Sequence, residues 1–376
     1  MKDFALFTIA FLLGFFLTPL GRRVAVRYKV LDYPESRKMH EKPTPLLGGI
    51  AIYLAFLFTL GYLALTSSFM HTRPFLGVLL GSTLILVVSL CDDIRELSTF
   101  TRLLFQFLGS FIMILFGVKV SFLPPGIWGD IGEVVITFLW VIGITNAMNF
   151  LDGLDGLACG LSVIVGIFFY VVGSELHQPY FAHLALALAG VCLGFLPHNF
   201  PVPFLYLRRL FQGGEGKSPR GGERARIFLG DCGATFLGSF YAGISVMGDL
   251  AVHNVIALSV PILLLGIPIF DTTFVTIMRI RERKISDVTG WLAYAGKDHF
   301  HHRLVDLGFS NGGAVFFIYC VAVVLGLDAI LIRNMDPFGA LLVLLKVALI
   351  FILITLLMMT GKRTALEDEG KNRKTL

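Results

Sequence analysis

The chain has 376 residues, of which 56% are hydrophobic and 15% charged, with a mean hydropathy of +0.79. Soluble domains carry about 25% charged residues, so an ordinary soluble enzyme is excluded and a lipid bilayer is the expected solvent. The net charge of +5 does not point to nucleic acid, because the basic residues stand in short blocks between apolar runs.

A membrane-crossing helix needs about 20 mostly apolar residues. That ruler predicts spans near residues 4–21, 46–66, 75–91, 101–118, 133–149, 157–174, 182–200, 233–248, 254–278, 312–332 and 338–360. The expectation is an all-α polytopic membrane protein with about 11 spans and no internal repeat. The first run has Lys2 before it and Arg22, Arg23 and Arg27 after it, which reads as an uncleaved helix with its basic end inside. Lys and Arg fall on alternate loops: seven in 22–45, two in 92–102, six in 201–232, six in 279–311 and five after Gly361. The opposite side holds only Lys2, Arg73, Lys119 and Arg333, and Lys346 lies inside the last span. Positive loops stay cytoplasmic, so the N-terminus is expected outside and the C-terminus inside. Residues 1–361 form one transmembrane catalytic domain on this reading, followed by a cytoplasmic tail, 362–376. The Gly-rich stretch 212–224 reads as a flexible part of a basic loop, and the preceding aromatics with Arg208 and Arg209 fit an interfacial segment or a solvated loop equally well. Five cysteines without CxxC spacing suggest neither a disulfide framework nor a zinc site.

Acidic residues at membrane depth are costly and require a partner or a purpose. Here they gather on the basic face: Asp92 and Asp93 after span three, Asp152 and Asp155 after span five, Asp231 before span eight and Asp271 at the inner end of span nine. A transporter more often places such groups near the midplane of broken helices, so the pattern describes a site at the membrane surface. Adjacent Asp92 and Asp93 repel when both are ionised, which suits a proton acceptor near a metal; a hydrated helix end partnered by Arg95 and Arg102 explains the dipeptide alone equally well. In NAMNFLDGLDGL, Asn146, Asn149, Asp152 and Asp155 recur every third residue, bringing oxygen donors suited to Mg²⁺ toward one helix face. Asp231 in FLGDCG opens a helix, where N–H groups attract phosphate, or it is a simple N-cap. DHFHHRL concentrates His299, His301, His302 and Arg303, donors for phosphate. In RKMHEKPTPLLGG, Pro43 and Pro45 stiffen a segment carrying Arg37, Lys38, His40 and Lys42, either to aim basic groups at the site or as positive-inside anchoring.

Together DDIRELS, NAMNFLDGLDGL, FLGDCG, PIFDT and DHFHHRL, between residues 37 and 310, resemble the polyprenyl-phosphate N-acetylhexosamine-1-phosphate transferases, membrane enzymes that start many bacterial envelope glycans. The resemblance implies transfer of a sugar 1-phosphate from a UDP-N-acetylhexosamine to undecaprenyl or another polyprenyl phosphate, releasing UMP, at the cytoplasmic face of the bacterial inner membrane. It implies Mg²⁺, with Mn²⁺ as a substitute. It assigns Asn149 and Asp231 to the metal and diphosphate, Asp92 and Asp93 to the base or nucleophile, and Asp155 to the uracil, with Asp152, in the same acidic loop as Asp155, counted among the catalytic carboxylates. Lys42, His299, His301, His302 and Arg303 become phosphate-binding positions. The HxHH spacing resembles the branch that uses UDP-GlcNAc, with UDP-MurNAc-pentapeptide as the runner-up donor. An anionic phosphate nucleophile needs little help from a base, which favours direct attack over a covalent aspartyl intermediate. Two departures stand out: the stretch between residues 200 and 225 is long, and Cys232 and Ala234 occupy positions where serines are common. An ion-coupled transporter is the alternative of a different class. Membrane lipids are partners on either reading, and a homodimer would use a lipid-facing surface.

Overall fold

A computed structural model describes residues 1–33, 43–66, 72–200, 225–248, 250, 258–283, 296 and 298–372, with side chains as far as 359. Lys42 and its neighbours Arg37, Lys38 and His40, and the basic stretch with Arg208 and Arg209, lie outside the described residues.

Thirteen helices and one short hairpin make up the described chain. They are α1 (Lys2–Tyr28), β1 (Leu31–Asp32), β2 (Thr44–Pro45), α2 (Gly48–Thr66), α3 (Arg73–Ile94), α4 (Thr99–Leu115), α5 (Ile127–Leu151), α6 (Leu157–Glu175), α7 (Pro179–Asn199), α8 (Gly230–Met247), α9 (Ser259–Leu264), α10 (Gly266–Arg281), α11 (Phe300–Asp306), α12 (Asn311–Ile332) and α13 (Pro337–Asn372). The two strands pair antiparallel with Leu31 opposite Pro45.

Eight helices among the described residues, α1, α2, α3, α5, α6, α7, α12 and α13, are long and apolar enough to cross a membrane. The chain is therefore an all-α, multi-pass membrane protein. The other three predicted spans differ from that standard for local reasons. Helix α4 has 17 residues. Helix α8 is diluted by Gly, Ser and Thr. The ninth run is broken at Leu265, where the backbone leaves the helical region between Pro261 and Pro268 and the chain restarts as α10. Helix α13 continues to Asn372, past the point where the tail was expected to begin.

Helix α8 is the centre of the bundle, buried along almost its whole length and packed on α2, α3 and α5. In lipid, helices associate through close van der Waals packing, which small residues permit. Gly233 meets the Gly49 backbone of α2, Gly238 lies against Ile144 and Thr145 of α5, and Gly243 against Val78 of α3. A Cβ at Gly233 would stand 2.7 Å from the Gly49 Cα. Backbone bonds fix the same junction, with Gly48 N–H donating to Phe228 O and Gly49 N–H to Leu229 O. Because α3 and α5 end where α8 begins, their C-termini and its N-terminus meet at one end of the bundle, and that is where the acids are.

Candidate active site

The end of α3 carries Asp92 and Asp93 in opposite duties. The Asp92 carboxylate accepts from Leu97 N–H at 2.6 Å and pairs with Arg102 of α4 at 3.1 Å, closing the turn between those helices. Asp93 accepts from Asp231 N–H at 3.0 Å and from Cys232 N–H at 3.1 Å. Those donors are the exposed N–H groups of the α8 start, so Asp93 caps α8 from another helix. One correction follows. The phosphate expected at the α8 N-terminus is replaced there by the protein's own carboxylate. Asp93, expected as base or nucleophile, accepts one backbone N–H on each oxygen and so also holds the start of α8 in place. Gly230 takes φ +76°, and a Cβ there would come within 2.9 Å of Asp93 Oδ2, so glycine is required for the cap to form.

Asp93 thereby aims Asp231 into a narrow cleft between α3, α4, α5 and α8. Asp92, Arg102, Gln106, Asn146, Asn149 and Asp231 line it. Its free volume of ≈40 Å³ has room for an ion and a little water. A nucleotide would have to lie over its mouth. Asn149 projects from the last turn of α5 toward Asp231, and its Oδ1 is buried with no hydrogen-bond partner. A buried acceptor without a donor costs about 1–3 kcal/mol. The neighbouring Arg102 guanidinium is 3.9 Å from Asp231 and is shared with Asp92. The Asn149 amide hydrogen-bonds the Asp231 carboxylate, which leaves the unpartnered Asn149 Oδ1 and the Asp231 oxygens as neighbouring hard-oxygen groups of the kind that fits Mg²⁺ or Mn²⁺.

The threefold spacing read from the sequence holds only to Asn149, because α5 ends at Leu151. Asn146 turns aside to exchange hydrogen bonds with Gln106 of α4, at 2.7 and 3.2 Å. Gln106 was not foreseen from the sequence; its signal was a single amide in the apolar run RLLFQFLGS. Asp152 sits in the loop after α5, where burial, and then the charges of Asp231, Asp155 and Asp93, push its carboxyl well above the usual carboxylate range. Asp155 accepts from Ala225 N–H at 3.0 Å, and Gly156 N–H donates to Asn199 Oδ1 at 2.9 Å. These contacts tie the acidic loop to the chain entering α8.

The histidine segment folds as the short helix α11 against the same loop. Asp271 of α10, fully buried, accepts from Phe300 N–H at 2.5 Å and is hydrogen-bonded to His299 Nδ1 at 2.8 Å. Asp298 forms a two-pronged bond with Arg279, at 2.8 and 2.7 Å. Burial acts to raise the Asp298 carboxyl, but Arg279 outweighs it and holds the group below its ordinary value. The His299 ring lies 5.3 Å from that of Phe150, next to Asn149, and parallel to His301. His301, 1% exposed, rests on Gly153, where a Cβ would come within 2.3 Å of its Nε2. Neither of its ring nitrogens has a partner. Burial, then the charges of His302 and His299, holds the imidazole well below its ordinary value, hence neutral. His302 packs on His301 with ring centres 4.2 Å apart. Arg303 departs from expectation: it faces a second cavity behind α11 instead of the acidic cleft.

The chain is similar to known proteins over most of its length. The family model described as glycosyl transferase family 4 matches residues 75–249, the stretch from α3 through α8 that builds the acidic cleft. Over 369 residues the chain is 32% identical to a probable undecaprenyl-phosphate N-acetylglucosaminyl 1-phosphate transferase of Bacillus subtilis strain 168, covering 96% of this chain and 92% of that protein. It is 30% identical over 379 residues to a decaprenyl-phosphate N-acetylglucosaminephosphotransferase of Mycolicibacterium smegmatis, covering 93% and 86%. Similarity extends to the undecaprenyl-phosphate alpha-N-acetylglucosaminyl 1-phosphate transferase of Escherichia coli K12, at 26% over 332 residues, 85% of this chain and 79% of that one.

Proposed function

The chain belongs to glycosyl transferase family 4, and on that premise we propose that it transfers N-acetylglucosamine 1-phosphate from UDP-GlcNAc to undecaprenyl or a related polyprenyl phosphate. The products are UMP and the first lipid-linked intermediate of a cell-envelope glycan. The observation that carries the reading is the Asn149 Oδ1, buried and unpartnered beside Asp231 at the end of a membrane bundle. This is where a diphosphate held in water can meet an acceptor held in lipid. We place this end at the cytoplasmic face of a bacterial inner membrane, on the distribution of Lys and Arg.

Asn149 and Asp231 would hold Mg²⁺. When bound, the ion neutralises diphosphate charge and stabilises the departing UMP. Asp93 fixes the direction of Asp231 by capping α8, and Arg102 adds positive charge to the wall of the cleft. The acceptor phosphate oxygen attacks the sugar-bearing phosphorus of the donor; the new P–O bond forms as the bond to the UMP oxygen breaks. Direct attack is favoured because the acceptor phosphate is already anionic and needs little help from a base, while Asp93 and Asp92 also carry positioning contacts, to the α8 N–H groups and to Leu97 N–H with Arg102. Neutral His301, with two unpartnered nitrogens beside Gly153 of the acidic loop, would offer one N–H to the substrate phosphates.

The test is purified protein given UDP-GlcNAc and undecaprenyl phosphate, with and without Mg²⁺, with UMP and lipid-linked sugar quantified. Product that requires both the metal and the lipid supports the reading. With UDP-GlcNAc silent, product from UDP-MurNAc-pentapeptide or another UDP-amino sugar would reassign the donor. Silence across all of them in folded protein, with substrate flux into vesicles, would replace the transferase by a transporter.

A further inference from the structure

Behind α11, on the side away from the acidic cleft, lies a cavity of ≈260 Å³. Its lining is apolar at Phe274 and Met278 of α10 and at Met358 and Met359 of α13, and charged at Arg281, Glu282 and Arg303. Arg303 is 7% exposed and its Nε has no hydrogen-bond partner. Leaving a guanidinium N–H dry and unbonded is costly, because a charged group needs a full set of acceptors when removed from water. Neither a free ion nor an apolar molecule satisfies such a cavity. The first leaves the methionine and phenylalanine wall uncovered; the second leaves the arginine bare.

We propose that this cavity binds an anionic phospholipid of the adjacent leaflet, with its phosphate against Arg303 and Arg281 and the start of its acyl chains against Phe274, Met278, Met358 and Met359. The charge fits. The neighbouring Arg279 is committed to Asp298, so the cavity is lined by two guanidinium groups, Arg281 and Arg303, against the single carboxylate of Glu282. Basic pockets between helices at a membrane surface recognise lipid headgroups in this way. The location gives the lipid a consequence. Arg303 belongs to the same short helix that sets His301 on Gly153, so a phosphate on Arg303 is held one short helix away from the acidic loop.

The experiment uses the full chain without any sugar nucleotide, so it is independent of the transfer reaction. Protein in phosphatidylcholine nanodiscs is titrated with phosphatidylglycerol, and retained lipid is counted by native mass spectrometry alongside the thermal midpoint. Wild type should retain phosphatidylglycerol about tenfold over phosphatidylcholine and melt higher as it is added, the size expected of one charge-assisted hydrogen bond. Arg281→Gln, at an exposed position that does not threaten the fold, should lose most of that preference. Met358→Trp, which fills the apolar end, should lose retention while leaving both arginines in place. Equal retention of the two lipids by wild type, or an unchanged preference in both variants, overturns the proposal. So does one-for-one displacement of phosphatidylglycerol by undecaprenyl phosphate, which would make the cavity part of the acceptor's own path.

Discussion

Two helix starts in this protein are built by the same device and end in opposite chemistry. At the α8 start an aspartate from α3 takes the N–H groups of Asp231 and Cys232. At the α11 start an aspartate from α10 takes Phe300 N–H and the His299 ring. In both, a buried carboxylate from a neighbouring helix satisfies donors that the helix cannot satisfy itself. The surroundings then diverge. Asp93 works among Asp92, Asp152 and Asp231, with Asn149 Oδ1 unpartnered, which makes the α8 side a place for a cation. Asp271 works among His299, His301 and the Arg279–Asp298 pair, which makes the α11 side a place for donors to an anion. A metal–diphosphate substrate presents both charges, and the two halves meet at Gly153, where His301 rests on the acidic loop.

The largest effect that would break this comparison is removal of the α8 cap. Asp93→Ala leaves two N–H groups without acceptors and releases Asp231 from its orientation. The expected outcome is a loss of about 1–3 kcal/mol per stranded group and a fall in UMP release of about 10²-fold. Asp93→Asn, which keeps one acceptor oxygen, should recover part of both in melting curves and turnover. If Asp93 were instead a covalent nucleophile, the Asn variant would be as inactive as Ala while still recovering part of the melting temperature.

Asp271→Ala frees His299 and the first turn of α11. The donor side should suffer first: KM for the UDP-sugar should rise about tenfold or more, with a smaller change in kcat, the size expected when one hydrogen-bonded orienting group is lost. Equal falls in kcat and kcat/KM would move His299 from holding substrate to the chemical step. Gly153→Ala probes the seam itself. Its Cβ meets His301 Nε2, so His301 must shift, and a severalfold rise in KM with an unchanged melting temperature is expected. His301→Ala combined with Gly153→Ala should add little beyond His301→Ala alone.

The smallest effect is read through pH. Asp152 is held well above its ordinary value, chiefly by burial and then by its acidic neighbours, so the folded chain keeps a proton that the unfolded chain releases above about pH 4. Stability from this source is fully present below that value and is lost as pH rises through the raised folded value. Without divalent metal, wild type should therefore lose melting temperature as pH rises from 4 more steeply than Asp152→Asn. Parallel curves for the two proteins would show that the Asp152 proton is not linked to folding.

Much of this site was legible in the residues, because carboxylates and amides beside apolar spans have few innocent explanations. The membrane class and the gathering of the acids at one end were visible from the residues alone, whereas Asn149 and Asp231 were singled out only by the family resemblance. Direction was not. Asp92 and Asp93 are neighbours in sequence, yet a helix turns successive side chains about 100° apart, so one closes the α3–α4 turn and the other reaches α8. The threefold run from Asn146 to Asp155 predicted one face, but Asp152 and Asp155 lie beyond the α5 end and the loop redirects them. Gln106 and the Asp271–His299 link depend on contacts across 40 and 28 residues of sequence, respectively, and no local pattern encodes those. Helix α8 was recognisable as a span, whereas its burial on every side follows only from glycines whose neighbours are other helices.

The most direct test of the central claim is cation binding itself. Mn²⁺ binding, followed by the loss of its free-ion paramagnetic resonance signal in the presence of UDP-GlcNAc, should show one site in wild type. The signal loss should disappear in Asp231→Asn and weaken by about tenfold or more in Asn149→Ala, with both variants melting near wild type. Undiminished Mn²⁺ binding in both folded variants would contradict the account, and the cleft between α5 and α8 would not be the metal site.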